Sequence, residues 1–379
     1  MSSVLEREEG LATGDRAVSQ IIDVDVHPAH RESIGALLPY IPTSWRERLM
    51  YLEKVFMGEQ VSPFRHLRPQ GDNNTNREDA RPPDGGPAGS SPAFLAIDHL
   101  DKWKVSTALL IDLTACMSVQ AAFAHDLSAL LASAFNDYTL DHWVARDRRF
   151  RHALIVSPWD VSASVAEIHR RGEHPGVAGV FVPLSQHRLG NRRWYPLYEA
   201  AIEHGLPIVM HPSAGETVGF DGMARFAVGQ PELWSEKYIE MSAFAQSSLT
   251  SLVMQGVFDR YRELKAVFVE FGFTWVLPHV WKMDYAWRQS RGVVPWMTRW
   301  PSEVVHDQVR FATQPVAEPI DGDEELNRTI EKHLADLLLY SSDYPHHDED
   351  APTAVFKKLS AETRKKIFSE NAKSTLRLL

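Results

Sequence analysis

Residues 21–30 read Ile-Ile-Asp-Val-Asp-Val-His-Pro-Ala-His, an apolar strand that gathers Asp23, Asp25, His27 and His30 toward its carboxyl end. A strand running on into a core would not collect acid and imidazole there. Asp25 and His27 stand two apart, so on a strand both point to one face. Three later apolar runs end on the same residue types: His211 closes one, Glu270 another, and Asp343 a third, with His346 just beyond. Neutral imidazole plus carboxylate is the ligand mixture suited to Zn²⁺, Mn²⁺ or Fe²⁺, and such a set with a position left for water makes a catalytic site. One Asp or His at a strand end is more often a turn or cap residue. Several such ends together would leave unpaired carboxylates in an apolar enclosure, which is costly without a cation. The expectation is therefore a metal centre.

The elements that must position these groups follow from periodicity. Short runs rich in Val, Ile and Leu alternate with longer amphipathic segments, the signature of repeated βα units and a parallel sheet. The runs are 20–27, 105–112, 152–158, 177–183, 206–212, 265–271, 309–315 and 337–345. Eight of them predict an α/β fold of the closed (β/α)8 TIM-barrel type, a single domain over 20–379 that follows a polar arm at 1–19. Gly172 and Gly205 punctuate two of the intervening helices. Two intervals are too long for a simple crossover. Residues 28–104 carry a Gly/Pro/Asn/Asp-rich insertion at about 52–93, and residues 213–264 hold a loop followed by the helical pattern "AQSSLTSLVMQGVFDRY". Both long loops, after strands one and five, leave the carboxyl end of a strand, the face where a barrel builds its substrate pocket.

Composition narrows the partners. Hydrophobic content of 44% with 24% charged residues excludes a mostly disordered chain. A formal net charge of −10 with no basic stripe gives no footprint for nucleic acid or an anionic membrane, which leaves a small-molecule substrate. The single cysteine, Cys116, excludes an intrachain disulfide. Without an apolar span or a secretory core near Met1, the cytoplasm is the expected location.

"DVDVHP", "LPIVMHP", "VFVEFGFTW" and "SSDYPHH", in this order, resemble the amidohydrolase-related group that includes aminocarboxymuconate-semialdehyde decarboxylase and the resorcylate-type decarboxylases. The resemblance runs from about Gln20 to Leu379, and the closing "SENAKSTLRLL" is similar to the family's last helix. It implies a distorted barrel with one divalent metal ion, Zn²⁺ or Mn²⁺, held by Asp25, His27, His211 and Asp343. It also implies a homodimer or homotetramer and a carboxylic acid as substrate. This chain departs from the family in two places. Asp25 stands where many members have a histidine, which makes Mn²⁺ a serious competitor to Zn²⁺, since oxygen ligands favour the harder ion. Glu270 stands where the family's decarboxylases carry a catalytic histidine; a carboxylate can be a general base but cannot present an imidazolium.

The expected catalytic residues are Glu270, Asp343 and His346. Decarboxylation of an aromatic or muconate-like acid takes first place on the resemblance. Hydrolysis of a C–N, ester or lactone bond comes second, because Glu270 suits water activation, and a non-catalytic binding barrel third. Among the remaining residues, His347 reads as a loop residue and His30 as a surface residue more than a partner of the ligands. Trp275 and Trp281 are candidate pocket walls. Arg192 and Arg193 read as a solvated loop. Ser341, Ser342 and Cys116 lack the setting of a nucleophile.

Overall fold

The computed structural model of the chain describes residues 20–31, 34–52, 76–122, 124–213, 231, 233–320 and 322–378. The expected polar arm, residues 53–75 of the insertion and most of the loop after strand five lie outside these. The frame is one parallel sheet of eight strands in chain order. They are β1 (Ile21–Val26), β2 (Val105–Leu110), β3 (Phe150–Ile155) and β4 (Val177–Phe181), then β5 (Ile208–Met210), β6 (Ala266–Phe268), β7 (Val309–Ala312) and β8 (Leu338–Leu339). Strands buried on both faces read as near-continuous Val/Ile/Leu runs, and all six residues of β1 are buried. The expected (β/α)8 barrel is therefore the fold.

Helices fill the intervals, with caps legible in the chain. Asp160 accepts the Ala163 amide at 2.9 Å to start Val161–Arg171, and three basic residues fill the last turn, where they complement the helix dipole. Gly205, at φ +62, ends Tyr195–Glu203. The pattern expected as one helix after strand five is instead broken at Gly256, whose φ of +73 separates Ser242–Met254 from Val257–Arg260. In Val276–Ser290, Val276, Val280, Met283 and Trp287 are buried. Trp281 falls on the opposite side, 59% exposed, which removes it as a pocket wall.

The strands are shorter than the apolar runs suggested. The last run, expected over 337–345, contributes only Leu338–Leu339 to the ladder. Beyond it the chain closes the barrel through single bonds. The Val24 amide donates to Tyr340 O at 3.1 Å, Asp343 N–H to Asp25 O at 3.1 Å, and His27 N–H to Tyr344 O at 2.8 Å. Asp23 reinforces this seam: its Oδ1 accepts the amides of Asp25 and Ser342 at 3.1 and 3.0 Å, and its Oδ2 accepts His99 Nε2–H at 2.8 Å. Asp23→Ala would strand those donors in a dry interior. It is expected to cost roughly 3–5 kcal/mol in urea unfolding of the metal-free protein; a loss under about 1 kcal/mol would show that the seam holds without it.

Candidate metal centre

The β1 pleat turns Asp23, Asp25 and His27 to one face, and the other expected ligands come to meet them. His27 Nε2 lies 3.2 Å from Asp25 Oδ1 and 2.8 Å from Asp343 Oδ1. His211 Nε2 lies 3.5 Å from Asp25 Oδ1 and 2.9 Å from Glu270 Oε2. Two groups thus satisfy metal-binding geometry: Asp25, His27 and His211, and His27, Asp343 and His346. The second nitrogen of each imidazole fixes its tautomer. His27 Nδ1 donates to Ile111 O at 2.9 Å and His211 Nδ1 to Pro212 O at 2.5 Å, so in the neutral rings both Nε2 atoms carry lone pairs. These lone pairs face carboxylate oxygens. Asp25 is buried, and neither of its oxygens has a hydrogen-bond partner. Orphaned oxygens ringed by imidazole nitrogens are what a divalent cation requires, and the residues present fit one.

Other residues take places the sequence did not reveal. Gln314, just past β7, donates Nε2–H to Asp343 Oδ2 at 3.0 Å. The rule that picked out the candidate ligands, a polar residue at a strand's carboxyl end, also applies to it, but an amide does not announce itself as a ligand. His346 Nδ1–H reaches Asp343 Oδ1 at 2.5 Å. His30 is not the surface residue expected: its side chain is 7% exposed and Nε2 lies 2.7 Å from Asp112 Oδ2, because that N-cap carboxylate draws the ring inward against Tyr138. Trp275 turns its indole N–H onto Phe271 O and Gly272 O, both at 3.0 Å. His347 is exposed, and Arg193 rests on Trp159 O at 3.3 Å. Ser341 Oγ accepts the Gln314 amide and Ser342 Oγ that of Tyr344, which ties both to the backbone.

A family model described as Amidohydrolase matches residues 22–378. The chain belongs to the amidohydrolase family. No curated protein matches it significantly. Among solved structures it is similar to an amidohydrolase from Mycobacterium avium subsp. paratuberculosis K-10, at 20% identity and TM-score 0.67, covering 94% of this chain and 98% of that one. It is also similar to 5-carboxyvanillate decarboxylase from Sphingomonas paucimobilis, at 18% identity and TM-score 0.63, over 95% and 100% of the two chains. A third is 5-carboxyvanillate decarboxylase from Novosphingobium aromaticivorans DSM 12444, complexed with manganese and 4-hydroxy-3-methoxy-5-nitrobenzoic acid. It shares 19% identity at TM-score 0.63, over 96% and 97%. At these identities the likeness is one of fold. Among the described residues no helix is long and apolar enough to cross a membrane.

The electrostatics of this amidohydrolase site follow from burying so many acids together. Burial raises the Asp25 carboxyl, opposed by the charges of His27 and His211. Burial alone would depress His211, but Asp25 and Glu270 carry it well above the ordinary imidazole range. At Asp343 burial acts upward, and His346 and His27 outweigh it and hold the carboxyl well down. His346, resisted by burial, is pushed up to about 9 by Asp343. The carboxylates that draw protons to these rings would equally draw a divalent cation, which would release the proton from His211 on binding. Farther along the same loop, the Asp350 amide donates to Ser342 O at 2.9 Å and its Oδ2 accepts the Val316 amide at 3.0 Å. Burial pushes Asp350 up to about 7; the Val316 amide opposes the rise, and Asp348, Asp343 and Glu318 add to it.

Two measurements follow. Asp25→Asn removes a buried carboxylate that no donor satisfies, so the metal-free variant is expected to melt at or above wild type. Saturating Mn²⁺ should stabilise wild type by about 2.7 kcal/mol at a hundred times Kd and leave the variant unmoved; an equal gain in both would exclude Asp25 as a ligand. Asp350 binds its proton more tightly folded than unfolded. Its contribution is therefore full below about pH 4 and lost as pH rises toward about 7. Urea midpoints of metal-free protein across that range should fall more steeply for wild type than for Asp350→Asn, and parallel curves would refute the assignment.

Proposed function

We propose that the chain is a metal-dependent carboxy-lyase that removes CO₂ from an aromatic or muconate-like carboxylic acid. The observation that carries the reading is the Asp25 carboxylate, buried without a donor against the Nε2 atoms of His27 and His211 at the mouth of an amidohydrolase barrel. The structures similar in fold support the substrate class, because two are decarboxylases of 5-carboxyvanillate and one holds manganese with a nitrobenzoic acid. In this reading Asp25, His27, His211 and Asp343 hold one Mn²⁺ or Zn²⁺ ion. When bound, the ion supplies positive charge that draws the oxygens of an acidic substrate and stabilises negative charge developing on it.

The protein's own groups then manage one proton. Decarboxylation breaks the bond between ring carbon and carboxyl carbon, and the electron pair remains on the ring carbon, which takes up a proton as CO₂ departs. That proton comes from His346, whose Nδ1–H is held on one oxygen of the Asp343 carboxylate while Gln314 holds the other. His346, 13% exposed, reloads the pair from solvent. A homodimer or homotetramer belongs to the same reading. One observation favours hydrolysis of a C–N, ester or lactone bond as the second reading. The Glu270 side chain is 13% exposed and among the described residues meets only the His211 ring, which leaves it able to accept a proton from water.

Mn²⁺-loaded protein offered a panel of hydroxybenzoates and carboxyvanillate-type acids is expected to release one CO₂ for each acid consumed. His346→Asn should lower kcat by about 10²-fold or more with metal content unchanged. Turnover of amides or lactones with no CO₂ would transfer the assignment to hydrolysis, and a wild-type rate in the variant would take His346 out of the proton path.

A further inference from the structure

Glu270 is not placed as a free acid or base would be. Its Oε2 lies 2.9 Å from His211 Nε2, which lies 3.5 Å from Asp25 Oδ1, which in turn lies 3.2 Å from His27 Nε2. Both imidazoles have committed their Nδ1–H groups to backbone carbonyls. In the neutral rings, all four atoms offer electron pairs and each lies within 3.5 Å of the next, an arrangement that repels itself unless a proton or a cation lies among them.

The neighbouring acids show the contrast. Asp23 takes donors from two amides and His99, and Asp343 takes His346 and Gln314. Glu270 and Asp25 have no such donors: among the described residues Glu270 meets only the His211 ring, and Asp25 has no hydrogen bond to either oxygen.

The backbone is shaped to hold Glu270 in this position. Glu270 has φ +60, the left-handed region that a residue with a β-carbon enters only at a cost in backbone strain. Val269, just before it, remains in register through its amide bond to Met210 O at 2.9 Å, and Gly272, at φ +63, carries the chain away. The twist between them sends the carboxylate sideways to the end of strand five.

We propose that Glu270 is a ligand of the metal, joining Asp25, His27, His211 and Asp343. The inference rests on the reading of this site as a metal centre. Three carboxylates with two imidazoles form an oxygen-rich set, which favours the harder Mn²⁺ over Zn²⁺, whose sites are commonly four-coordinate with nitrogen and sulfur. It also takes from the hydrolytic reading the base on which that reading depends.

The test reads metal binding directly. Wild type, Glu270→Gln, Glu270→Ala and His211→Ala are stripped of metal, checked for folding by circular dichroism and melting, and titrated with Mn²⁺ and Zn²⁺ against a chelating dye. Electron paramagnetic resonance of the Mn²⁺ forms is recorded in parallel. Both Glu270 variants are expected to lose more than about tenfold in Mn²⁺ affinity, less for Zn²⁺, and to change the shape of the Mn²⁺ spectrum. Affinity within about twofold of wild type in Glu270→Gln and Glu270→Ala, with an unchanged spectrum and binding lost in His211→Ala, would overturn this inference alone and leave the metal centre standing. Failure of folded wild type to bind either ion would overturn both.

Discussion

A carboxylate sealed from water with no donor is held only if positive charge stands beside it, and Asp25 is in that position. Much of the barrel mouth is arranged around it. Asp23, two residues earlier on the same face and equally buried, shows the alternative: three N–H groups satisfy it, and it serves as a structural tie between the first strand and the last. The pleat that makes both residues point inward cannot distinguish them. The donors supplied by Ser342 and His99 do.

Convergence on one point also explains where regular structure stops. Side chains from β1, β5, β6 and β8 cannot meet if every strand keeps its ladder to the rim, so the ladders end early and the chain turns. Four non-glycine residues among those described have positive φ, and two of them, Glu270 and Asp343, lie at the centre. Such strain is sustained only where the surroundings over-determine it. For Asp343 the surroundings are explicit: Asp25 O takes its amide, and its two oxygens are held by Gln314 and His346.

The return leg of the long insertion after β1 belongs to the same framework. Arg77 donates its amide to Pro345 O at 2.8 Å and pairs through Nη1 with Glu349 Oε1 at 2.5 Å, while Asn76 bridges His346. The insertion thus presses on the loop that carries Asp343 and His346. A segment that reads as a surface loop by composition is, at its end, a clamp on the site. Asp350 secures the far side of that loop through Ser342 and Val316.

The sequence by itself determined the barrel, because strands buried on both faces must be continuous apolar runs and crossover helices must be amphipathic, and both are local patterns. It also picked out the carboxylates and imidazoles that the structure brings together, since such groups at the ends of these runs have few places to point in a closed barrel. It did not reveal Gln314, whose amide carries no charge signature, nor the burial of His30, which depends on Asp112 from another βα unit. It could not separate Asp23 from Asp25, or Glu270 the base from Glu270 beside His211. Those distinctions depend on which donors arrive from residues distant in the chain and on two left-handed backbone turns, and only the tertiary structure brings them into contact.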